Sequence, residues 1–193
     1  MNVDAKEDRR VRKTKKALRE GLAELLTEKS IQNITVRELT DKADVHRSTF
    51  YANFVDIYDL YNHIEETVIS ELRDIITGTQ DLDSTQCIIL LFEYISANKQ
   101  ISRLVLGSNL GTSFIHRVSA LFKDIYVAHW RTTYNLNVSS DKLEAYAHFL
   151  FSGYLGVIRE WVVNDFEPSE NELLEIISDI DKNIEMLIQQ KFD

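Results

Sequence analysis

The sequence predicts an all-α protein, because its apolar residues recur at helical spacing and few residues interrupt helices. One proline and six glycines in 193 residues leave little room for long irregular segments. No stretch alternates apolar and polar residues for long enough to indicate a sheet. The length allows one ordinary domain or two small ones. We expect a three-helix N-terminal domain at residues 1–54 and a C-terminal helical bundle at residues 55–193.

Charge is divided between these two predicted domains. The net charge is -9, yet residues 1–54 hold twelve Lys and Arg against nine Asp and Glu, whereas the remainder holds ten against twenty-two. A basic end that contacts phosphate, joined to an acidic body that phosphate repels, would orient the molecule on DNA.

The first predicted helix begins at Arg9 and is basic in its first half. Arg10, Lys13 and Lys16 lie away from its apolar stripe. They are open to two interpretations, a solvated face or a phosphate clamp, and the motif that follows favours the clamp. The stripe consists of Val11, Leu18, Leu22, Leu25 and Leu26.

Residues 35–54 predict a helix-turn-helix, because their apolar residues fall where two short helices would face one small core. Thr35 and Glu38 form a capping box at the start of the first helix. Asp44 tolerates the left-handed conformation that a tight turn requires. The second helix is predicted from about His46 to Asn53.

The second helix of this motif has polar side chains that its core does not need. Four of them can hydrogen-bond to base edges in a DNA groove, and Tyr51 and Asn53 follow at the end where phosphates are usually met. The four are His46, Arg47, Ser48 and Thr49.

Five further helices are predicted after a long one that Asp56 caps and that ends near Gly78. A polar linker is expected at 79–84, and capping boxes are expected at Asp141 with Glu144 and at Ser169 with Glu172. Three of the helices are expected at about 86–97, 99–106 and 113–134, the fourth begins at Asp141 and includes Trp161, and the last is capped at Ser169 and includes Leu187.

The last two predicted helices hold more apolar surface than one small bundle can bury, which favours a four-helix homodimer interface. Gly153 and Gly156 are expected to allow close packing with another helix, since glycine inside a helix costs about 1 kcal/mol against alanine. The candidate interface residues are Leu150, Gly153, Tyr154, Val157, Trp161, Ile177, Ile180 and Ile184.

Three features together resemble the TetR family of bacterial repressors: Thr-Phe-Tyr-x-x-Phe after a helix-turn-helix, a basic first helix, and a long acidic helix from near Asp56. The resemblance is close over residues 9–62. A weaker one, over residues 149–168, is to the C-terminal domain of a TetR-like subgroup that includes an activator of dihydroxyacetone kinase genes. It suggests kinship and not a shared ligand.

The resemblance implies a DNA-binding role for nine residues of the N-terminal domain. Arg47 is the first choice for a base contact because arginine pairs with guanine in bidentate fashion, and a phosphate contact is the open alternative. Three residues depart from the family pattern: Asp44, His46 and Ile57. At the position of Ile57 the family usually has a lysine. The nine are His46, Arg47, Ser48 and Thr49 toward bases, and Lys13, Thr35, Arg37, Tyr51 and Asn53 toward phosphates.

The resemblance also implies a pocket in the C-terminal bundle for a small-molecule effector of unknown identity. Aromatic residues at helical spacing are equally consistent with ordinary core. The candidates are Phe92, Phe114, His116, Phe122, Tyr126, His129 and Trp130.

The expected function is therefore that of a homodimeric transcription regulator on a palindromic double-stranded DNA operator. Its two reading helices would enter successive major grooves ~34 Å apart. Repression relieved by the effector is the expected mechanism, and activation is left open. The alternative is a helical protein-interaction regulator or co-activator with weak or lost DNA binding, which the missing lysine at Ile57 and the acidic body favour.

The sequence gives no sign of an enzyme, a metal site or a cofactor. It contains no glycine-rich phosphate loop, nucleophile elbow or Cys-x-x-Cys. Neither a leader nor a membrane span is recognisable, so we expect a cytoplasmic protein. Cys87 lies in an apolar run and is expected to be a buried thiol, with redox sensing as the alternative.

Overall fold

The computed structural model describes residues 9–78, 84–107, 112–134 and 140–192. Within these ranges every regular element is a helix, as the sequence predicts. The chain forms two compact units, Met1–Thr67, here called the head, and Val68–Asp193, here called the bundle. The sequence suggested a division after residue 54. The units divide further along, inside the following helix, whose first half belongs to the head.

The head begins with α1, Arg9–Glu28, and a 3₁₀ turn, Ile31–Asn33, leads to α2, Val36–Lys42. After a tight turn comes α3, Arg47–Tyr51, and then α4, Ile57–Gly78, which contains the point where the units divide. α3 is shorter than the predicted helix, because the Asn53 N–H binds the Phe50 carbonyl at 2.9 Å and tightens the last turn.

Leucine and phenylalanine side chains form the core of the head. Leu18 and Leu22 of α1, Leu39 of α2 and Phe50 of α3 are all fully buried. α1 and α2 approach closely at Gly21, where an added Cβ would lie 3.3 Å from Leu39 Cδ1. A small residue is therefore needed there for the two helices to pack.

The bundle contains the second half of α4 and five further helices, in the order predicted. Their bounds are α5, Ser84–Ala97; α6, Lys99–Gly107; α7, Thr112–Thr133; α8, Ser140–Val163; and α9, Glu170–Phe192. None of the described helices is both long and apolar enough to cross a bilayer. The predicted linker was residues 79–84; its residues 79–83 and the connections at 108–111 and 135–139 lie outside the described residues, and Ser84 begins α5.

One predicted cap of the bundle is wrong and another is confirmed. α8 begins at Ser140, so Asp141 lies inside its first turn and cannot cap it, and Glu144 instead accepts from Lys123 Nζ at 3.4 Å. At the start of α9 the Ser169 N–H donates to the Glu172 carboxylate at 2.9 Å, and the hydroxyl of Ser169 donates to the same oxygen at 2.7 Å. That cap lowers the pKa of Glu172.

The corner between α8 and α9 contains two consecutive residues in the left-handed region, Asp165 with φ 60° and Phe166 with φ 66°. A bulky residue is strained there, so its contacts must hold it. Phe166 packs edge-to-face on Trp161 at 5.0 Å, and Lys99 Nζ lies 4.5 Å from the centre of its ring. Arg103 of α6 lies over the same ring at 4.9 Å and pairs with Asp165.

Candidate functional site

The exposed side of α3 is the feature of the head most suited to contact another molecule. His46, Arg47 and Ser48 are exposed, Thr49 is half-buried, and Phe50 behind them is fully buried. His46 is the N-cap of α3 by its backbone alone, since its side chain makes no capping hydrogen bond. Its imidazole is therefore not used by the cap.

The turn before α3 sets the direction of that helix. Asp44 has φ 52°, as the sequence predicts, and the N–H of Val45 then binds the carbonyl of Thr40 at 3.0 Å. This is the longer bond of a Schellman motif, which closes α2. Thr40 is buried, and its hydroxyl donates to the carbonyl of Val36 at 2.8 Å. The turn therefore holds the start of α3 against the core of the head.

The predicted capping box at Thr35 is present, with both of its reciprocal hydrogen bonds. The N–H of Thr35 donates to Glu38 Oε2 at 2.9 Å, and the N–H of Glu38 donates to Thr35 Oγ1 at 3.2 Å. Lys29 donates to Glu38 Oε1 at 2.5 Å, and this bond, followed by those from Thr35, lowers the pKa of Glu38 to about 2. The cap fixes α2 to the end of α1, and it occupies polar groups of Thr35 that a phosphate contact would need.

The basic half of α1 presents a concentrated positive charge. Residues 9–19 contain seven Lys and Arg and no acidic residue. Arg9, Arg10, Lys13 and Thr14 line an open depression. The first turn of this helix has no acidic residue, so the positive end of the helix dipole adds to the charge. An anion placed there would be attracted by both.

The remaining predicted phosphate contacts differ in how available their side chains are. Arg37 is exposed and lies 3.7 Å from Asp41, while Tyr51 is 59% exposed. Asn53 is half-buried, and its Nδ2 donates to the Thr49 carbonyl at 2.8 Å, which leaves its carbonyl oxygen for other partners. Arg37 and Tyr51 are therefore the more accessible of the three.

In the bundle, most of the aromatic residues predicted to line a pocket are buried. Trp130 and Tyr126 pack edge-to-face at 5.6 Å, whereas Phe92 packs on Trp161 near the α8–α9 corner. His129 is half-buried, with Nε2 3.6 Å from Glu185 Oε1. The fully buried members are Phe92, Phe114, Phe122, Tyr126 and Trp130, and His116 is exposed on α7, outside this group.

A buried carboxylate lies among these rings and was not predicted. Asp181 of α9 is 1% exposed, and its Oδ1 accepts from the hydroxyls of Tyr126 and Tyr154 at 3.0 Å each. Thr85 donates to the other oxygen at 3.3 Å. Asp181 follows Ile177 by four residues, so it occupies a position on the apolar stripe of α9. A charged residue at such a position is the sequence signal that could have identified this buried carboxylate.

The predicted dimer residues fall on two different sides of α8 and α9. Gly153, Val157 and Ile180 are exposed and Ile184 is half-buried, but Leu150, Tyr154, Trp161 and Ile177 are buried within their own bundle. Phe149 and Ile176 are exposed instead, and each lies one position, or about 100° around the helix, before a buried predicted residue. Val163 and Leu187 are exposed as well.

The two glycines of α8 make no close packing contact with the part of the chain that the structure describes. Gly153 and Gly156 are exposed, and a Cβ added to either would meet nothing within 4 Å. The expected close packing with another helix is therefore not made by the described residues of this bundle. The described residues also contain no group of three His, Cys, Asp or Glu side chains that could hold a metal ion.

Comparison with protein families gives a match over the bundle. A family described as a transcriptional regulator C-terminal region matches residues 83–183, which is more than half of the chain. No curated protein matches the sequence.

Several solved structures share the fold at low sequence identity. A protein from Syntrophomonas wolfei str. Goettingen, named as a TetR-family transcriptional regulator, aligns with a TM-score of 0.73 at 16% identity over 91% of this chain and 96% of its own. The fatty acid degradation regulator FadR from Bacillus halodurans aligns with a TM-score of 0.69 at 12% identity, over 90% and 97%. The dihydroxyacetone kinase operon activator DhaS aligns with a TM-score of 0.64 at 16% identity, over 93% and 98%. The fold is therefore shared along nearly the whole chain.

Proposed function

The chain belongs to the TetR family of transcriptional regulators, and from that premise we propose that it is a homodimeric repressor of a palindromic operator. It is a transcriptional regulator and not an enzyme. In the proposed mechanism α3 reads the operator, the α8 and α9 helices of two copies form the dimer, and a small molecule bound in the bundle lowers operator affinity.

The observation that carries the DNA-binding proposal is the exposed, polar N-terminal half of α3. Arg47 is exposed, and among the described residues it has no acidic partner. An arginine held at the surface without an internal partner keeps its bidentate donors for a base or a phosphate. The cations of α1 would supply additional phosphate contacts, which set affinity but carry no sequence information.

The dimer proposal rests on exposed apolar positions repeated along α8 and α9. Phe149, Gly153 and Gly156 recur on α8 at steps of four and three residues, and Ile176 and Ile180 do so on α9. Such spacing forms a continuous stripe on one helix face. Because a Cβ added to either glycine would meet no described residue within 4 Å, the stripe can accept a helix at short distance.

A second candidate function is a helical regulator that acts through a protein partner with weak or lost DNA binding. The specific observation in its favour is the start of α4. Ile57, where a lysine would be usual, is buried, and Val55 before it is 79% exposed. This end of the head would then offer an apolar side chain instead of a cation to the phosphates.

A gel-shift titration of the full chain on its own upstream DNA tests the first function. It should be run at two salt concentrations, with random DNA as competitor. If six or more phosphates are contacted, affinity should fall by about 10³-fold or more between 50 and 200 mM salt. Specific binding with that steep salt dependence supports the repressor. Binding no tighter than to random DNA would overturn it and leave the interaction regulator.

The effector half of the proposal has its own test. Bound operator complexes should dissociate when a cell extract of small molecules is added and should persist with buffer alone. An extract that tightens binding instead would contradict repression relieved by the effector.

A further inference from the structure

The corner between α8 and α9 closes α8 with the longer bond of a Schellman motif, in which the N–H of Phe166 binds the carbonyl of Trp161 at 2.8 Å. The same motif closes α2 in the head, where Asp44 alone is in the left-handed region. At the corner both Asp165 and Phe166 are in that region. The motif itself therefore does not require the conformation of Phe166.

Glycine usually occupies left-handed positions at the end of a helix, because a Cβ is unfavourable at positive φ. Neither Asp165 nor Phe166 is a glycine, so contacts outside the motif must hold their conformation. Trp161 of α8 supplies some of these contacts. Its ring packs on Phe166, and its indole N–H donates to the Pro168 carbonyl at 2.7 Å. The other contacts come from α6.

Two cations of α6 hold the other side of the corner. Lys99 Nζ lies 4.5 Å from the centre of the Phe166 ring, and Arg103 Cζ lies 4.9 Å from it. Arg103 also pairs with the carboxylate of Asp165. A cation over a ring and a surface ion pair each favour the contact by about two- to fivefold. Because Arg103 makes both contacts, loss of its charge should destabilise the corner by about five- to twentyfold.

α6 is anchored to the bundle along its length, so its cations are held in place. Leu104 and Val105 are buried, and Arg159 Nε of α8 donates to the carbonyl of Leu106 at 3.1 Å. α6 is therefore fixed to α8 near its last residue and to the corner nearer its first. A displacement of α6 would change the contacts that hold the corner in its strained conformation.

The corner also determines how the proposed dimer face is assembled. The exposed apolar stripes lie on two helices, so a partner copy can pack on both only when the angle between α8 and α9 is fixed. We propose that Lys99 and Arg103 are positioning residues for the homodimer, because they hold Asp165 and Phe166 in the conformation that sets how α9 leaves α8. They act through Phe166 and not by contact with the second copy. This inference rests on the proposed homodimer.

Amide hydrogen exchange at Phe166 tests whether the cations hold the corner, because its N–H is released when the corner opens. Arg103→Met keeps a side chain of similar length without the charge, and it should speed this exchange by about five- to twentyfold. Arg103→Lys should restore most of the protection, since it restores the charge. Salt at about 0.5 M should speed exchange more in the parent chain than in Arg103→Met, because the ion pair is exposed and therefore screened.

Analytical ultracentrifugation of the same chains tests the consequence for the dimer. Only molecules with the native corner can present both stripes, so the apparent Kd rises as their fraction falls. We expect Arg103→Met to raise the Kd of the homodimer by about threefold or more, and Arg103→Lys to stay within about twofold of the parent chain. Arg73→Met, at an exposed arginine of α4, is the matched control and should change neither the Kd nor the exchange at Phe166.

A second background separates positioning of the corner from a general loss of stability. Asp165→Gly removes the ion pair and relieves the strain at that residue. In this background Arg103→Met should speed the exchange at Phe166 by only about two- to fivefold, because only the contact with the ring remains to be lost. An effect of Arg103→Met that is equally large in both backgrounds would overturn the proposed role of the ion pair.

The inference is also overturned if Arg103→Met leaves the exchange at Phe166 unchanged, or if exchange rises while the Kd of the dimer does not. A parent chain that is monomeric at every concentration would remove the proposed homodimer and this inference together. A parent chain that dimerises with the same Kd as Arg103→Met would remove this inference alone.

Discussion

The surfaces of the head and the bundle differ in the charged and apolar side chains that they expose. In the head, leucine and phenylalanine are buried, and Arg47 and Lys13 are exposed. In the bundle, a carboxylate is buried at Asp181, while Phe149 is 74% exposed. Each surface indicates its partner: exposed cations suit a polyanion, and an exposed apolar stripe suits another apolar helix. Both interiors contain buried polar side chains, Thr40 and Glu65 in the head and Asp181 in the bundle.

Leu39 should show the largest effect, because its side chain is fully buried in the core of the head and its truncation leaves a cavity there. We expect Leu39→Ala to lower the free energy of unfolding by about 2–5 kcal/mol, measured by urea denaturation. Phe149→Ala, in the exposed stripe of the bundle, is the matched change and should alter the stability of the monomer by no more than about 0.5 kcal/mol. Equal losses of stability from the two substitutions would contradict this difference between the head and the bundle.

Gly156 tests whether the exposed stripe is a dimer face. Gly156→Glu should favour the isolated helix, because glutamate is the better helix former, yet place a charge inside the proposed interface. We expect the homodimer to weaken by about 2 kcal/mol or more, roughly 30-fold in Kd, by analytical ultracentrifugation. His148→Glu is exposed on the same helix, about 100° from Phe149, and serves as control. A dimer unaffected by Gly156→Glu would remove α8 from the interface.

Substitutions of Arg47 and Lys13 would separate the two kinds of DNA contact proposed for the head. Arg47→Ala should weaken operator binding by about 1–3 kcal/mol and relax one base position. Lys13→Ala should weaken binding to all sequences alike and reduce the salt slope by about one. Arg73→Ala, an exposed arginine of α4 in the bundle, should change neither. If both changes in the head weakened every sequence equally, Arg47 would be a phosphate contact.

The capping boxes let the same motif be compared in both units. Thr35→Ala in the head and Ser169→Ala in the bundle should each lower the free energy of unfolding by about 1 kcal/mol, measured by thermal denaturation. Only Thr35 is also a candidate phosphate contact. If Thr35 acts purely as a cap, operator affinity per folded molecule will not change in Thr35→Ala, and a loss would assign it both roles.

The smallest expected effect is on the pH dependence of the stability of the head. The pKa of Glu38 is lowered from 4.5 to about 2 in the folded head, chiefly by Lys29. Its stabilising contribution is therefore present above pH 4.5 and is lost as pH falls toward 2. Lys29→Met should raise the pKa of Glu38 in a carboxyl NMR titration. It should therefore narrow the pH range over which Glu38 loses its stabilising contribution. The pKa of Glu172 in the bundle, lowered by Ser169, should not move.

Local signals made the head easier to predict than the bundle. The cap of Thr35 with Glu38 and the left-handed turn at Asp44 depend on residues within a few positions of one another, and both are present as predicted. The length of α3 was overestimated, because its last turn depends on how Phe50 and Asn53 pack.

The bundle required long-range information that the sequence does not contain. α8 is apolar on most sides, so the pattern could not tell that Leu150 faces the core and Phe149 the surface. The cluster at Asp181 joins helices far apart in sequence, and no local spacing relates Thr85 or Tyr126 to it. Only the break in the α9 stripe indicated that something other than apolar packing occurs there.

The two tryptophans of the chain give it a built-in pair of optical reporters. Trp161 is held at the α8–α9 corner, where its indole N–H donates to the Pro168 carbonyl at 2.7 Å and its ring packs on Phe166. Trp130 is buried beside Tyr126 with its N–H unbound among the described residues. Emission from an indole depends on hydrogen bonding at that nitrogen, so the two signals differ in origin. A chain with Trp161→Phe reports on the core alone, and one with Trp130→Phe reports on the corner alone.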